Sequence, residues 1–208
     1  MRVLVTAGST WARVDDIRIL TNRFTGKTGL YLAQGLKKKG HSVTLLINPH
    51  CLGKIAGLRF IPYRYFEEFK REIIKAIKKQ HYDVIIHSAA VSDYQLKYPR
   101  VGKIPSGKLV TLKLVPTDKI IKQIRALASD SLLIQFKLAP KQKGIIKEAY
   151  RSLRENQSDF VVANAFADMQ TGYKAFLINR DKKVISLGSK RALLTALDRV
   201  INSGPVPN

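Results

Sequence analysis

The stretch LTNRFTGKTGLYLAQGLKKKGH, residues 20–41 of 208, decides how the chain reads. Gly26 and Gly29 punctuate a turn, and the apolar spacing that follows predicts a helix over Gly26–Lys39. Yet this turn stands well past the first strand signal, whose end at Val5-Thr6-Ala7-Gly8 is where a dinucleotide-binding protein carries its phosphate loop. A strict G-x-G-x-x-G is absent there, because Gly8 is followed by Ser9, Thr10 and Trp11. The segment GSTWARVD also lacks the lysine of a P-loop. The glycines are displaced.

Outward from this stretch, apolar runs bounded by turn residues predict strands at Val3–Thr6, Ser42–Ile47, Val84–Ala90, Leu132–Phe136 and Phe160–Ala163. Helical periodicity falls between several of them, at Tyr65–Lys79, Thr117–Ala128 and Lys141–Glu155. KAFLINRDKKVISLG reads as two strands around an Asn-Arg-Asp turn, and Ser189 is a candidate N-cap for the helix of SKRALLTALDRVI. Strands that are apolar throughout, with helices between them, imply a parallel sheet covered on both faces. The expected class is α/β: a Rossmann-like open, mostly parallel sheet with helices on both faces. It forms one domain over residues 1–208, with a flexible tail from about residue 203.

Composition bounds the function. A 45% hydrophobic chain of this length buries a sizeable core. Its 37 Lys+Arg against 15 Asp+Glu give a formal charge of +22, which suggests polyanionic partners. The basic residues are spread over presumed helix faces such as LKKKGH and FKREIIKAIKKQH, and no zinc-finger, RNP or KH signature accompanies them. A solvated basic surface is therefore preferred to a nucleic-acid-binding module. The single cysteine, Cys51, excludes a disulfide framework and reads as a passive loop thiol in a reducing cytosol. The apolar run in MRVLVTAG is too short for a signal peptide, and no stretch approaches about 18 apolar residues. A soluble, cytoplasmic protein without a membrane partner is expected.

In an open α/β sheet, ligands gather at the carboxyl ends of strands. Three such loops are rich in polar, basic and small residues: TAGSTWARVDDIRILTNRFTGKTG, HSAAVSDYQLKYPRVGKIPSGK and IQFKLAPKQK. Here the chain resembles the phosphopantothenoylcysteine synthetase family. VTAGSTWARVDDIRILTNRFTGKTG is similar to the family's T-x-G-G-T opening followed by I-D-x-V-R-x-x-x-N-x-S-S-G-K-x-G. DVIIHSAAVSDY is similar to A-A-V-x-D-Y/F, and GKIPSGKLVTLKLVPTDKII to K-I-x-x followed by L-x-L-x-x-x-P-D-I. LIQFKL and SDFVVAN match V-G-F-K/A and D-x-I-V-A-N. The five motifs are collinear and cover nearly the whole chain, in the manner of the stand-alone synthetase without a fused decarboxylase.

The resemblance implies ligation in coenzyme A biosynthesis. 4'-Phosphopantothenate is activated by CTP or ATP with Mg²⁺ to an acyl-nucleotide and pyrophosphate, and cysteine then displaces the nucleotide. Both steps concentrate negative charge, which suits backbone N–H groups, lysines and a metal. It further implies that Asn22 holds the acyl-nucleotide carbonyl region, where the alternative is an Asx turn or N-cap. Lys103 belongs to a flap over about residues 94–115, closing over the intermediate. Gly8, Ser9 and Thr10 line the first strand's mouth, and Ser88, Ala89 and Ala90 let backbone approach the nucleotide. Asp93 serves ribose hydroxyls or a metal-bound water, or simply caps a turn. Phe136 stacks on the base or belongs to the core, and Asn164 serves the base or caps a loop. Gly26, Lys27 and Gly29 form a second phosphate-facing turn. The family also implies a homodimer; the residues holding the metal are not identified.

Departures from the family pattern make nucleotide preference open. Ala7-Gly8-Ser9-Thr10 stands where Gly-Gly-Thr is common, Trp11-Ala12-Arg13 where Glu-Pro is frequent, and Phe24-Thr25 where Ser-Ser is usual. Ile104-Pro105-Ser106 lacks the further flap lysines, leaving Lys108 as their substitute. The rival readings are a nicotinamide- or flavin-dependent reductase and a basic nucleic-acid-binding protein.

Overall fold

Val3, Val5 and Ala7 project to one side of the first strand and Leu4 to the other, and all four are buried. That period of two repeats across the sheet. Val43, Leu45 and Ile47 fall on the first side and Leu46 on the second; Val84 and Ile86 oppose Ile85, and Leu132 and Ile134 oppose Leu133. An apolar run without polar alternation is what a strand covered on both faces requires.

The computed structural model describes residues 1–51, 55, 57–167 and 172–203. Along them run β1 (Arg2–Ala7), β2 (Trp11–Arg13), β3 (Ile19–Thr21), α1 (Lys27–Lys38), β4 (Ser42–Ile47), a 3-10 turn (Pro49–Cys51) and β5 (Arg59–Pro62). There follow α2 (Phe66–Lys79), β6 (Val84–His87), β7 (Tyr94–Leu96), β8 (Leu114–Pro116), α3 (Ile120–Leu127) and β9 (Leu132–Ala139). The chain continues with α4 (Ile145–Glu155), β10 (Phe160–Ala165), β11 (Ala175–Asn179), β12 (Val184–Leu187) and α5 (Lys190–Ser203).

Eight strands form one sheet in the order β12-β11-β10-β9-β6-β1-β4-β5. The six from β10 to β5 are parallel; β11 and β12 extend the sheet antiparallel. Helices α1 and α5 cover one face through Leu32, Leu36, Leu193 and Leu197. Helices α2, α3 and α4 cover the other through Phe69, Ile73, Ile124, Ala149 and Leu153. The α/β expectation of an open, mostly parallel sheet between two helical layers holds. From β1 the chain moves outward to β4 and β5, then returns to lay down β6, β9 and β10 on the other side. The order reverses between β1 and β6, and in an open α/β sheet the carboxyl ends of the strands at such a reversal are where ligands bind.

Local chemistry explains where elements stop. α1 ends in a Schellman arrangement: Gly40, at φ +91°, donates to Lys37 O, and His41 N donates to Leu36 O at 3.2 Å. Ser189 caps α5, its Oγ accepting from Ala192 N at 3.0 Å. Two expected helices begin late. The helix expected from Lys141 starts after Gly144, whose φ of 82° breaks the turn. The helix expected from Thr117 starts at Ile120, because Thr117 bonds backward to Asp93 O and Ser92 O. The strand expected to reach Ala90 leaves the sheet after His87, drawn off by bonds described below. The short strands β2, β3 and β5 carry too few residues to show a period. β7 and β8 pair antiparallel and form the stem of an extension spanning the expected flap. Among the described residues, no helix is long and apolar enough to cross a membrane. The tail beyond Ser203 and the side chain of Cys51 lie outside the described residues.

Candidate active site

Two glycines far from β1 meet its carboxyl end. Gly26, at φ +81°, precedes α1, and a Cβ placed there would stand 2.8 Å from Gly8 Cα and closer still to Gly8 N. Gly29 is buried, and a Cβ on it would stand 2.6 Å from both Ala7 Cβ and Ser88 Oγ. The displaced glycines are thus explained by packing: they let the start of α1 settle directly on the mouths of β1 and β6. This seat leaves the helix N-terminus bare. Among the described residues it has no side-chain cap, and its first turn holds no acidic residue, so no carboxylate of that turn offsets the positive end of its dipole. Lys27 is exposed at the first helical position and makes no hydrogen bond or ion pair among the described residues.

The loop after β1 is bound to the loop after β6. Ala90 N donates to Gly8 O at 2.9 Å, and Thr10 N donates to Ala90 O at 3.4 Å. Ser92 N donates to Thr10 Oγ1 at 2.9 Å. Thr6 accounts for the early end of β6: its Oγ1 accepts from Ala89 N at 3.1 Å, and its carbonyl accepts from Ser88 Oγ at 2.6 Å. Gly8, Ser9, Thr10, Ser88, Ala89 and Ala90 therefore form one rim. Asn22, just beyond β3, reaches the same rim, its Nδ2 donating to Ala90 O at 3.1 Å. The second amide hydrogen and Oδ1 are left facing solvent, since the residue is exposed.

Several residues not singled out from the sequence support this rim. Tyr63 is buried, and its hydroxyl points at two carbonyls at the end of β1, Ala7 O at 2.6 Å and, just beyond the strand, Gly8 O at 2.9 Å. Burial pushes its phenol well above the usual tyrosine range, so it remains a donor. Asn48 donates to Ser9 O at 2.8 Å. His87 Nδ1 lies 3.0 Å from Thr6 Oγ1, and burial lowers the ring to about 4, so the imidazole is neutral near pH 7. The only local signal for these side chains is a polar residue at the end of an apolar run.

The remaining expected residues are more dispersed. Phe136 packs partly against the α1 and α5 side of the core, so the core alternative describes its observed contacts. Asn164 pairs with Leu138, on a strand three places from β1, which is about 14 Å at ordinary strand spacing. Asp93 is exposed and paired with Lys119 at 2.5 Å, and its carbonyl accepts from Thr117 N. Lys108 is exposed within the β7–β8 extension. Lys103 is exposed there too, docked near the turn between β2 and β3, on the order of 10 Å along β3 from Asn22. Among the described residues no three Asp, Glu, His or Cys side chains converge to hold a metal.

The geometry offers small backbone groups, a bare helix N-terminus, an oriented amide and nearby lysines, a set suited to anionic, nucleotide-like ligands. The sequence profile of the family described as DNA/pantothenate metabolism flavoprotein C-terminal domain matches residues 1–201. The chain is 34% identical over 202 residues to the coenzyme A biosynthesis bifunctional protein CoaBC of Thermococcus kodakarensis, covering 94% of this chain and 49% of that protein. The chain spans about half the length of the curated relatives it matches. The crystal structure of the DNA/pantothenate metabolism flavoprotein from Streptococcus pneumoniae superposes with a TM-score of 0.86 at 25% identity, covering 98% of this chain and 99% of that one. The C-terminal domain of a CoaBC protein superposes with a TM-score of 0.78 at 25% identity, covering 97% and 96%.

Proposed function

Because the chain belongs to the family of DNA/pantothenate metabolism flavoprotein C-terminal domains, we propose that it ligates 4'-phosphopantothenate to L-cysteine in coenzyme A biosynthesis. A nucleoside triphosphate, CTP or ATP, is the co-substrate. The observation that carries the reading is the convergence of Asn22, Gly26 and Ala90 on the mouth of β1, where the sheet order reverses.

In this reading the nucleotide lies across Gly8-Ser9-Thr10 and Ser88-Ala89-Ala90, where small side chains admit its approach, and reaches toward Asp93, Phe136 and Asn164. Its phosphates face the bare N-terminus of α1, with Gly26, Lys27, Gly29 and the flap's Lys108 supplying dipole and charge. The phosphopantothenate carboxylate attacks the α-phosphorus and pyrophosphate leaves. The amine of cysteine then adds to the acyl carbonyl, and the nucleoside monophosphate departs as the amide forms. The second N–H of Asn22 donates to the oxyanion of that addition, an interaction that needs no ionised group at neutral pH. Lys103 neutralises the phosphate of the acyl-nucleotide and shields it from water. Mg²⁺ bound with the triphosphate would supply charge neutralisation, while Lys27, Lys103 and Lys108 are the chain's own cations toward the phosphates.

The enzyme works as a cytoplasmic homodimer, a reading supported by the single cysteine and by one clustered surface. Ile17, Ile19 and Leu20 on the β2–β3 hairpin, with Tyr98, Val101 and Leu109 on the extension, are exposed apolar residues on two neighbouring elements. β3 pairs with β2 alone among the described residues, so its outer edge is open to a second copy. The extension of one copy would then lie beside the other's Asn22.

The test is pyrophosphate release from purified protein offered each of CTP, ATP, UTP and GTP with phosphopantothenate, Mg²⁺ and cysteine. Release that requires phosphopantothenate supports the reading, and its absence with all four triphosphates rejects it.

A further inference from the structure

We propose that Asp15 and Asp16 form a latch that docks residues 100–104 of the β7–β8 extension onto the β2–β3 turn and thereby positions Lys103. The latch is defined by geometry alone, whereas its consequence for turnover rests on the ligase reading given above.

The connection between β7 and β8 runs over residues 97–113, longer than most ordered loops, and Lys103 lies near its middle. A cation on such a loop samples many positions unless its backbone is held. Here both neighbours of Lys103 are held by adjacent carboxylates. Ile104 N donates to Asp15 Oδ2 at 3.0 Å, and Gly102 N donates to Asp16 Oδ2 at 2.7 Å. Asp16 N returns a bond to Gly102 O at 3.3 Å, and Arg100 N donates to Val14 O at 3.0 Å. Arg18 completes the fastening: its guanidinium pairs with Asp15 and also donates to Ile104 O at 3.3 Å. Under these bonds Ile104 packs with Val14 and Leu96 in a small core of its own. Lys103, between Gly102 and Ile104, is exposed, and its side chain has no partner among the described residues.

Asp15 is shaped for this task. Its carboxylate is buried, with Oδ1 taken by Ile17 N at 2.8 Å and Arg18 N at 2.6 Å, so Oδ2 is aimed at Ile104. The bond from Ile104 N, reinforced by those from Ile17, Arg18 and the guanidinium, holds its carboxyl well below the usual carboxylate range. Asp16 is half exposed and paired with Arg13, so it adds a bond without anchoring the hairpin itself. Asp15 is thus a positioning residue, acting through Lys103.

The test compares wild type with Asp15→Asn, Asp16→Asn, Lys103→Gln and the double variant Asp15→Asn/Lys103→Gln, using amide hydrogen exchange and single-turnover cysteine transfer. Asp15→Asn should speed exchange of the Gly102 and Ile104 amides roughly tenfold or more, as loss of a charged acceptor implies, while amides of β1 and β9 keep their protection. It should slow cysteine transfer by about the same factor, with KM for the nucleotide changed by less than about twofold. The double variant should be no slower than Lys103→Gln alone, since both changes remove one effect. If Asp15→Asn does not fold, Asp16→Asn carries the same comparison with a smaller expected change. Unchanged exchange of the Gly102 and Ile104 amides in both single variants, or losses that multiply in the double variant, overturns the latch. A wild-type protein without ligase activity rejects the ligase reading, and the exchange data then decide the latch on their own.

Discussion

Asn22 touches the rim through a single bond from Nδ2 to Ala90 O at 3.1 Å, which leaves its other amide hydrogen for a ligand. Replacing Asn22 with Ala should therefore lower kcat by roughly 10²–10³, the ordinary loss for one oriented oxyanion donor, with much of the nucleotide affinity retained. Steady-state kinetics with nucleotide binding followed by calorimetry checks this; a kcat within about threefold of wild type would remove Asn22 from the chemistry. His87 makes a different kind of statement. Its ring titrates near 4 in the folded chain against about 6.5 when unfolded, because burial disfavours the charged form. Between those values the unfolded chain binds a proton that the folded chain does not, so stability rises with pH across the window and is lost on acidification, by up to about 3 kcal/mol. Chemical denaturation from pH 7 to pH 4 should show this slope in wild type and a shallower one in His87→Asn, whose amide keeps an acceptor for Thr6. Equal slopes would contradict it. Asn22 was legible from the sequence because a motif surrounds it. Tyr63 and Asn48 were not, since each donates to carbonyls at or just past the end of the distant β1, and no local pattern records a bond across 39 to 56 residues.

The start of α1 shows why the glycines stand where they do. At Gly26 a Cβ would suffer twice, from the left-handed backbone at φ +81° and from collision with the backbone of Gly8. Gly26→Ala should cost about 3 kcal/mol or more, the sum of a strained φ and an overpacked contact that only main-chain movement relieves. Gly40 provides the control: its φ is similar at +91°, but nothing lies within 4 Å of the added carbon, so Gly40→Ala should cost only about 1–2 kcal/mol. Guanidinium denaturation separates the two, and equal losses would mean that the seat of α1 on β1 tolerates change. β4 matched its expected bounds at Ser42–Ile47 because its residues are apolar on both faces and its flanks are punctuated by Gly40 and Pro49. The early end of β6 was not legible, because Thr6, some 80 residues away, draws off Ser88 and Ala89. Likewise the sequence marked Gly26 and Gly29 as facing phosphate, whereas their observed contacts are with β1 and β6. The two roles are compatible, since close packing is what bares the helix end.

At the scale of the molecule, an open eight-stranded sheet holds the β1 and β6 mouths together, while a small two-stranded hairpin and a latched extension stand outside it. Those outlying pieces carry much of the chain's exposed apolar surface, including Val101 at 95% and Leu109 at 99% exposure. A homodimer should form through them, and Ile19→Asp with Leu20→Lys on β3 should convert it to monomer in light scattering at micromolar concentration, with the circular dichroism of the main sheet unchanged. A wild-type protein that is monomeric and fully active would contradict this. A single rim that both builds an acyl-nucleotide and gives it up to cysteine should reveal the intermediate between the two half-reactions. The most direct measurement is an acid-quenched single turnover with phosphopantothenate, Mg²⁺ and the preferred triphosphate, first without cysteine and then with it. An acyl-nucleotide and an equal amount of pyrophosphate should appear before cysteine is added, and complete discharge to phosphopantothenoylcysteine and nucleoside monophosphate should follow afterwards. In Asn22→Ala the intermediate should form and discharge at least about 100-fold more slowly. No acyl-nucleotide from the wild-type protein, or discharge in Asn22→Ala at the wild-type rate, would contradict it.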